Sequence, residues 1–248
     1  MSEQNKTLPA EGLLTNSGTG YSRRRFLGTA GLLAGAGLGM ASLASCNKDD
    51  DNNGASVSGG LNLGSGDVGI LNYAYALEQL EAAFYAQVVA SSGSAFTTGE
   101  MDLLKEIAKH EEGHAKFFKA AITAAKANPI QDLTPKFGAI NFSDRTSVLT
   151  TAQTFEDLGV AAYNGAGNLI KNPDYLAIAG KIVSVEARHA ALIRDLLSNG
   201  SFANLSTLAT FGADNSKGLD GALPPSEVLK LAGMYINESL NASYLPTS

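Results

Sequence analysis

Two short motifs in the sequence place a histidine three residues after a glutamate: Glu111 with His114, and Glu186 with His189. Residues three apart share one face of an α-helix, so each motif would offer a carboxylate and an imidazole to the same point. Such a ligand set suits iron or manganese, whereas zinc or copper sites depend more on histidine or cysteine. One pair alone would be explained as a surface contact that supports a helix. Two pairs, which use two of the three histidines in the chain, indicate a metal site.

The elements that must position these motifs are four long predicted helices. From Asp67 onward the sequence is rich in Ala and Leu, follows a helical period and has no convincing alternating strand. Thr97 with Glu100 forms a capping box, and Asn172 before Pro173 is typical of a helix start. The predicted helices span about residues 67–90, 97–128, 143–171 and 172–199.

The connections predict how these helices pack. Short turns join the first helix to the second and the third to the fourth, so each pair should be antiparallel. The connection from Asn128 to Phe142 contains two prolines and is long enough to travel the length of the bundle. We therefore predict an all-α fold, an antiparallel four-helix bundle with one long crossover, over residues 67–199. Residues 200–248 are predicted to form a C-terminal extension with one extra helix, about Ser226 to Asn237, packed on the outside.

Each predicted helix carries a carboxylate within its apolar stripe. Helical spacing places Glu111 and Glu186 among Leu, Ile and Phe side chains, and it places Glu78, Glu81 and Glu156 on the buried faces of the first and third helices. Buried carboxylates that lie close together repel one another, which raises their pKa values. Two divalent ions would match the formal charge of four glutamates, so we expect a dinuclear site.

An internal repeat helps to choose among these acids. The Glu111 motif recurs 75 residues later at Glu186, and Glu78 recurs 78 residues later as Glu156. Both Glu78 and Glu81 face inward, but Gly159 stands where the repeat would need a partner for Glu81, so the repeat favours Glu78.

Two tyrosines, Tyr85 and Tyr163, follow Glu78 and Glu156 by two helical turns. They could hydrogen-bond the ligands or pass electrons, although packed aromatic rings with a polar tip are the commoner case. At most, therefore, we expect Tyr85 and Tyr163 to contact the ligands and not to bind metal.

One glutamate on each of two helices, with Glu-x-x-His on the other two, resembles the ligand set of ferritin-like dinuclear carboxylate proteins. Val185 to His189 and the tail Leu223 to Leu229 are similar to an exported bacterial branch related to plant desiccation-associated proteins. By this resemblance two iron ions, or manganese, would be bound, one by Glu78, Glu111 and His114 and the other by Glu156, Glu186 and His189, with Glu111 and Glu186 bridging.

The resemblance implies redox chemistry with dioxygen or peroxide, such as ferrous oxidation or peroxide reduction. A competing hypothesis is a non-catalytic protective or interaction protein in which metal only stabilises the bundle. An iron-storage cage is disfavoured because every subunit would have to accommodate an external C-terminal helix as well as the lipid anchor and the tether that the N-terminal residues, described next, predict. A homodimer is compatible with the sequence. A net charge of −6 gives no support to a nucleic-acid partner.

Residues 1–45 resemble an export signal. Ser22 to Gly28 resembles the twin-arginine signal of bacteria, and a Gly- and Ala-rich stretch from Phe26 leads to Leu43-Ala44-Ser45-Cys46, which resembles a lipobox. Cys46, the only cysteine, is the predicted lipidation site. Residues 46–66 are predicted to be a flexible tether, so the protein would be held at a membrane, on its periplasmic side or at the cell surface.

The alternative for the stretch from Phe26 to Ser45 is a permanent transmembrane helix, since it is long enough to span a bilayer. Its five glycines weaken a stable helix, and the arginines and Cys46 stand where processing would need them. Processing is therefore the favoured interpretation.

Overall fold

The computed structural model describes residues 59–247. Within this range there are five α-helices, a pair of two-residue strands and four short 3-10 segments, and no helix combines the length and apolarity needed to cross a bilayer. The predicted signal and Cys46 lie outside the described residues. The elements are β1 Leu61–Asn62, α1 Gly66–Ser91, α2 Thr98–Ala124, α3 Arg145–Ala166, α4 Pro173–Leu197, α5 Pro225–Ala232 and β2 Leu240–Asn241, with 3-10 segments at Gly167–Leu169, Ser201–Ala203, Leu205–Phe211 and Gly233–Tyr235.

Three of the four bundle helices, α2, α3 and α4, begin at a side chain that caps the helix end. The Thr97 hydroxyl accepts a hydrogen bond from the Glu100 backbone N–H, while the Glu100 carboxylate accepts one from the Thr97 N–H at 2.9 Å. Asp144 and Asn172 cap α3 and α4 in the same way through a side-chain oxygen. These contacts satisfy backbone donors that the first helical turn leaves unpaired.

The two ends of the bundle are tied by polar contacts between helices. At one end the Arg145 guanidinium donates to Glu100 Oε1 at 2.6 and 2.9 Å and to the Leu196 carbonyl at 2.8 Å, which joins the starts of α2 and α3 to the end of α4. At the other end Asp67 accepts from the backbone N–H groups of Lys171 and Asn172 at 2.8 Å. Since α2 and α3 start at the same end, they run in the same direction. The predicted all-α four-helix bundle with one crossover is confirmed.

The crossover, residues 125–144, runs along α1. The Ile130 N–H donates to Asn72 Oδ1 at 2.9 Å, and the Leu133 N–H donates to Gln79 Oε1 at 2.8 Å, so the chain follows α1 over successive turns. Further along, the buried Phe137 ring packs against Phe84 with ring centroids 5.9 Å apart. The crossover therefore closes one side of the core beside the glutamate of α1.

A buried ion pair joins α3 to α4 next to the predicted site. Arg194 donates to both carboxylate oxygens of Asp157, at 2.8 and 2.5 Å, and its remaining arm reaches the Thr207 hydroxyl at 2.7 Å. Burial raises the pKa of Asp157 even though the Arg194 contact opposes that rise. Because the two buried charges compensate each other, the pair ties α3 to α4, and the contact with Thr207 ties the 3-10 segment Leu205–Phe211 to α4.

The predicted tether is wrong for the part that the structure describes. Residues 61–63 are packed: Leu61 is 5% exposed and Leu63 is fully buried. β1 pairs in parallel with β2, matching Leu61 to Leu240 and Asn62 to Asn241. The polar composition of the surrounding stretch predicted no ordered structure, although it contains two apolar residues, Leu61 and Leu63. Their partners lie near the C-terminal end of the chain.

The C-terminal extension contains the predicted helix in shorter form. α5 ends at Ala232 and continues as a 3-10 turn to Tyr235, instead of running to Asn237. The Asn237 N–H donates to the Thr134 carbonyl at 3.0 Å, and the Lys136 N–H donates to the Tyr235 carbonyl at 2.7 Å. Pairing with the crossover therefore replaces the last helical turn.

The contact between α3 and the extension yields a stability prediction. The Leu223 N–H donates to the Ala161 carbonyl at 3.0 Å, and a Cβ added at Gly165 would lie 1.8 Å from the Leu223 carbonyl oxygen. Gly165→Ala should therefore displace the extension and lower the free energy of unfolding by about 1–3 kcal/mol. The matched control is Gly180→Ala in α4, where a Cβ meets nothing within 4 Å; it should raise stability by about 0.5–1 kcal/mol. Equal effects of the two variants in urea titrations would contradict the tight contact at Gly165.

Candidate metal centre

All four bundle helices contribute a carboxylate to one buried cluster. Glu78 of α1, Glu111 of α2, Glu156 of α3 and Glu186 of α4 are each 0% exposed. Each occupies a position on its helix that is otherwise apolar, so helix packing brings the four carboxylates together.

The cluster contains two sets of four potential ligands, each with its ligand atoms within 4.8 Å of one another. Glu111 and Glu186 belong to both sets. The first set is Glu78, Glu111, His114 and Glu186, and the second set is Glu111, Glu156, Glu186 and His189.

The two histidines approach different carboxylate oxygens of the cluster. His114 Nδ1 lies 3.3 Å from Glu78 Oε2, 3.3 Å from Glu111 Oε2 and 3.0 Å from Glu186 Oε1. His189 Nδ1 lies 2.8 Å from Glu111 Oε1, 3.4 Å from Glu156 Oε2 and 3.9 Å from Glu186 Oε2. In both cases Nδ1, rather than Nε2, points at the carboxylates.

Whether a metal fits the site can be judged from its inward-facing oxygen and nitrogen atoms, most of which lack a hydrogen-bond partner. A buried carboxylate without a partner is costly, and lone pairs that converge without donors are what a divalent cation requires. Oxygen and imidazole donors in this number match iron or manganese. Within residues 59–247, the unpartnered atoms in the cluster are Glu78 Oε2, Glu81 Oε2, Glu111 Oε1, Glu156 Oε2, both carboxylate oxygens of Glu186 and Nδ1 of His189.

Comparison with known protein families agrees with the fold. A family model described as a ferritin-like domain matches residues 66–199, which span α1 to α4. The chain belongs to this ferritin-like family. No curated protein matches the sequence. A buried carboxylate and histidine cluster compatible with a dinuclear metal site therefore lies inside the ferritin-like domain.

Burial and mutual repulsion raise the pKa of most carboxyl groups in the ferritin-like domain's cluster. The pKa of Glu186 is raised well above its usual range, first by burial and then by Glu111 and Glu78. Burial raises the pKa of Glu156, and it raises that of Glu78 to about 7 although the His114 contact opposes the rise.

The pKa of Glu111 is lowered and the pKa values of the two histidines are raised, because the negative and positive charges stabilise one another. Burial would raise the pKa of Glu111, but the close contacts with His114 and His189 outweigh burial and lower the pKa to about 2. Burial would lower the histidine pKa values, yet the surrounding glutamates raise them to about 12 for His114 and about 10 for His189. Without metal, protons therefore neutralise part of the cluster.

The predicted tyrosines contact the outer glutamates across the bundle. Tyr85 of α1 donates to Glu156 Oε1 of α3 at 2.5 Å, and Tyr163 of α3 donates to Glu78 Oε1 of α1. In both glutamates the other oxygen, Oε2, is left to face the cluster. Each tyrosine thus orients one carboxylate, in a crossed arrangement that follows the internal repeat.

Glu81 lies beside the cluster without belonging to either set. It is 4% exposed, its Oε2 has no partner within the described residues, and burial followed by Glu186 and Glu111 raises its pKa well above the usual range. A Cβ built at Gly159 would be 3.0 Å from Glu81 Oε1, so the absence of a side chain there makes room for this fifth carboxylate. Of the two inward-facing glutamates of α1, Glu78 is the one that lies next to His114.

The third histidine, His110, also contacts the site, although the Glu-x-x-His motif does not include it. Its Nδ1 lies 2.9 Å from Nε2 of His189. Burial and the adjacent His189 lower the pKa of His110, which favours its neutral form. A usable signal was present in the sequence: His110 is four residues before His114 and directly before Glu111, at the edge of the buried stripe.

The pKa shifts predict how the stability of the metal-free protein depends on pH. Glu78, Glu81, Glu156, Glu186 and the two histidines have folded-state pKa values above those of the unfolded chain, so the folded state holds more protons. Stability must then fall as pH rises from about 5 to about 9, and Glu78 alone accounts for about 1–2 kcal/mol of that fall by about pH 7.

Urea titrations of chelator-treated protein across this pH range would measure the fall. Glu111, whose pKa is lowered, loses its contribution only at more acidic pH, so it does not offset the trend. Stability that rises between about pH 5 and about pH 9 in metal-free protein would contradict the cluster's electrostatics.

Proposed function

We propose that the protein binds a dinuclear iron centre, with manganese as the alternative, and that this centre performs redox chemistry with dioxygen or peroxide. The observation that carries the proposal is that Glu111 and Glu186 belong to both ligand sets. Two adjacent metal ions require carboxylates that both ions can share, and the two ligand sets share two carboxylates. Each ion would also have one glutamate and one histidine of its own: Glu78 and His114 for one, and Glu156 and His189 for the other.

The protein's own groups would hold the centre and control access to it. Four carboxylates supply the negative charge that two divalent ions neutralise, and the surrounding core excludes bulk water, which strengthens these interactions. Tyr85 and Tyr163 keep Glu156 and Glu78 oriented while leaving one oxygen of each free. When bound, iron would supply reversible electron transfer to an oxidant.

A small oxidant fits the surroundings of the site better than a large substrate does. Next to Tyr163, between the helices, is a cavity of about 20 Å³ whose lining is almost entirely apolar. Its size suits a molecule of a few atoms, and its apolar walls suit dioxygen more than a polar metabolite. The lining includes Leu77, next to Glu78 in the chain, and Phe118, one turn beyond His114.

We also propose that the protein is exported by the twin-arginine route and anchored to a membrane through lipid on Cys46. The support is the run of arginines at Arg23 to Arg25 and the lipobox-like residues before Cys46. Export of an already folded chain would allow the metal site to fill before the protein leaves the cytoplasm. The anchor would place any reaction with dioxygen or peroxide at the periplasmic side of a membrane or at the cell surface.

The first prediction of this proposal concerns metal content. Elemental analysis of the purified chain after reconstitution with Fe²⁺ or Mn²⁺ should give close to two ions per chain. Replacing His114 and His189 together with alanine should abolish tight binding, because each ion loses its nitrogen ligand, while circular dichroism should show that most helix is kept.

The matched control for this experiment is Lys105→Ala, an exposed position on α2 whose only described ion pair is with Asp102. It should bind two ions as the wild type does. A wild-type chain that takes up no metal, or a double histidine variant that still binds two ions, would refute the metal centre.

A second prediction separates redox activity from a purely structural role of the metal. Protein loaded anaerobically with Fe²⁺ and then exposed to dioxygen or peroxide should oxidise the iron faster than the double histidine variant does, seen as a rise in near-ultraviolet absorbance. A wild-type chain that binds two Fe²⁺ ions but oxidises them no faster than this variant would favour the non-catalytic protective or interaction protein.

A further inference from the structure

His110 stands outside both ligand sets but touches the second one. It lies on α2 with much of its side chain exposed, whereas His189 of α4 is only 4% exposed. The ring planes are 9° apart, the ring centroids are 5.1 Å apart, and His110 Nδ1 is 2.9 Å from His189 Nε2. Because the two nitrogens lie almost on the line between the centroids, the rings meet edge to edge in nearly one plane, which is hydrogen-bond geometry.

The direction of this hydrogen bond follows from the other side of the His189 ring. Nδ1 of His189 faces the carboxylates, 2.8 Å from Glu111 Oε1. A neutral imidazole has one N–H and one lone pair, and a ring that binds metal through Nδ1 must carry its proton on Nε2. That N–H has His110 Nδ1 as its acceptor, so His110 must carry its own proton on Nε2.

We propose that His110 is a positioning residue for the metal centre. His110 accepts a hydrogen bond from Nε2–H of His189 and thereby holds the His189 ring with its Nδ1 lone pair directed at the second ligand set. This inference rests on the proposed function, since it concerns the same site. Histidine ligands generally donate their second ring N–H to a carboxylate, a carbonyl or water, and loss of that partner typically weakens metal binding by about 10–100-fold.

The internal repeat predicts that only one of the two ions depends on such a partner. At the 75-residue offset between Glu111 and Glu186, His110 corresponds to Val185, whose side chain cannot accept a hydrogen bond. Within residues 59–247, the hydrogen bond and ion pairs of His114 involve only its Nδ1. The His189 side should therefore be the one that a change at His110 weakens.

The test is titration of the full-length chain with Co²⁺ as an air-stable probe, followed by calorimetry. His110→Ala should weaken one of two binding steps by about 10–100-fold and leave the other step near its wild-type value. His110→Asn, which keeps an acceptor at the same branch point of the side chain, should restore most of the lost affinity. Lys105→Ala is the surface control on the same helix.

A second readout follows the His189 ring itself. In chains labelled with nitrogen-15 at histidine and loaded with Zn²⁺, His189 should carry its proton on Nε2 in the wild type, and this N–H should exchange with solvent faster in His110→Ala. A merely structural role would lower stability in both His110 variants alike and leave the exchange rate of a folded chain unchanged.

The outcomes separate the two proposals. A wild-type chain that binds no Co²⁺ would overturn the metal centre and the role of His110 together. A wild-type chain that binds two ions, with His110→Ala binding both equally well, would overturn the positioning role alone. Loss of both steps in His110→Ala without rescue by His110→Asn would also count against it.

Discussion

The structure depends on the burial of five glutamates inside one helical bundle. Charges of like sign, removed from water and brought within a few ångströms of one another, oppose folding strongly unless protons or cations neutralise them. The metal-free molecule relies on two protonated histidines and on protonated carboxyl groups, as the raised pKa values of His114, His189 and Glu186 indicate. Two divalent ions would replace those protons. Binding of two such ions would therefore offset the cost of burying the cluster.

The rest of the bundle serves to keep this cluster in place. Tyr85 and Tyr163 cross between α1 and α3 and fix one oxygen of each outer glutamate. The Asp157 and Arg194 pair joins α3 to α4 beside Glu156. The crossover covers α1 through contacts with Asn72 and Gln79. Each of these contacts joins different elements of the bundle, so the geometry of the site is a property of the whole bundle.

Much of this arrangement could be predicted from the sequence, because it rests on helical periodicity. Glutamates at apolar positions of four helices, with histidines three residues after two of them, were sufficient to predict which side chains would meet. The caps at Thr97 and Asn172 fixed two helix starts closely. The spacing of Tyr85 and Tyr163 predicted at most a contact with the ligands, and which glutamate each tyrosine contacts depends on how the helices pack.

Other features could not be predicted, because they depend on contacts between distant segments. Leu61 and Leu63 lie in a polar stretch, and their burial depends on contacts with β2 and with α1. The last turn of the C-terminal helix gives way to contacts with the crossover at Thr134 and Lys136. His110 has no motif, and its contact with His189 depends on the rotation of α2 against α4.

The central claim is that the cluster exists to bind two metal ions, and anomalous X-ray diffraction tests it most directly. Crystals of the reconstituted chain, measured at the absorption edge of iron or manganese, should show two peaks, one in each ligand set. Oxygens of Glu111 and Glu186 should lie within bonding distance of both peaks. A folded bundle with no anomalous peak among these glutamates, or with a single peak that His114 and His189 do not approach, would contradict the account.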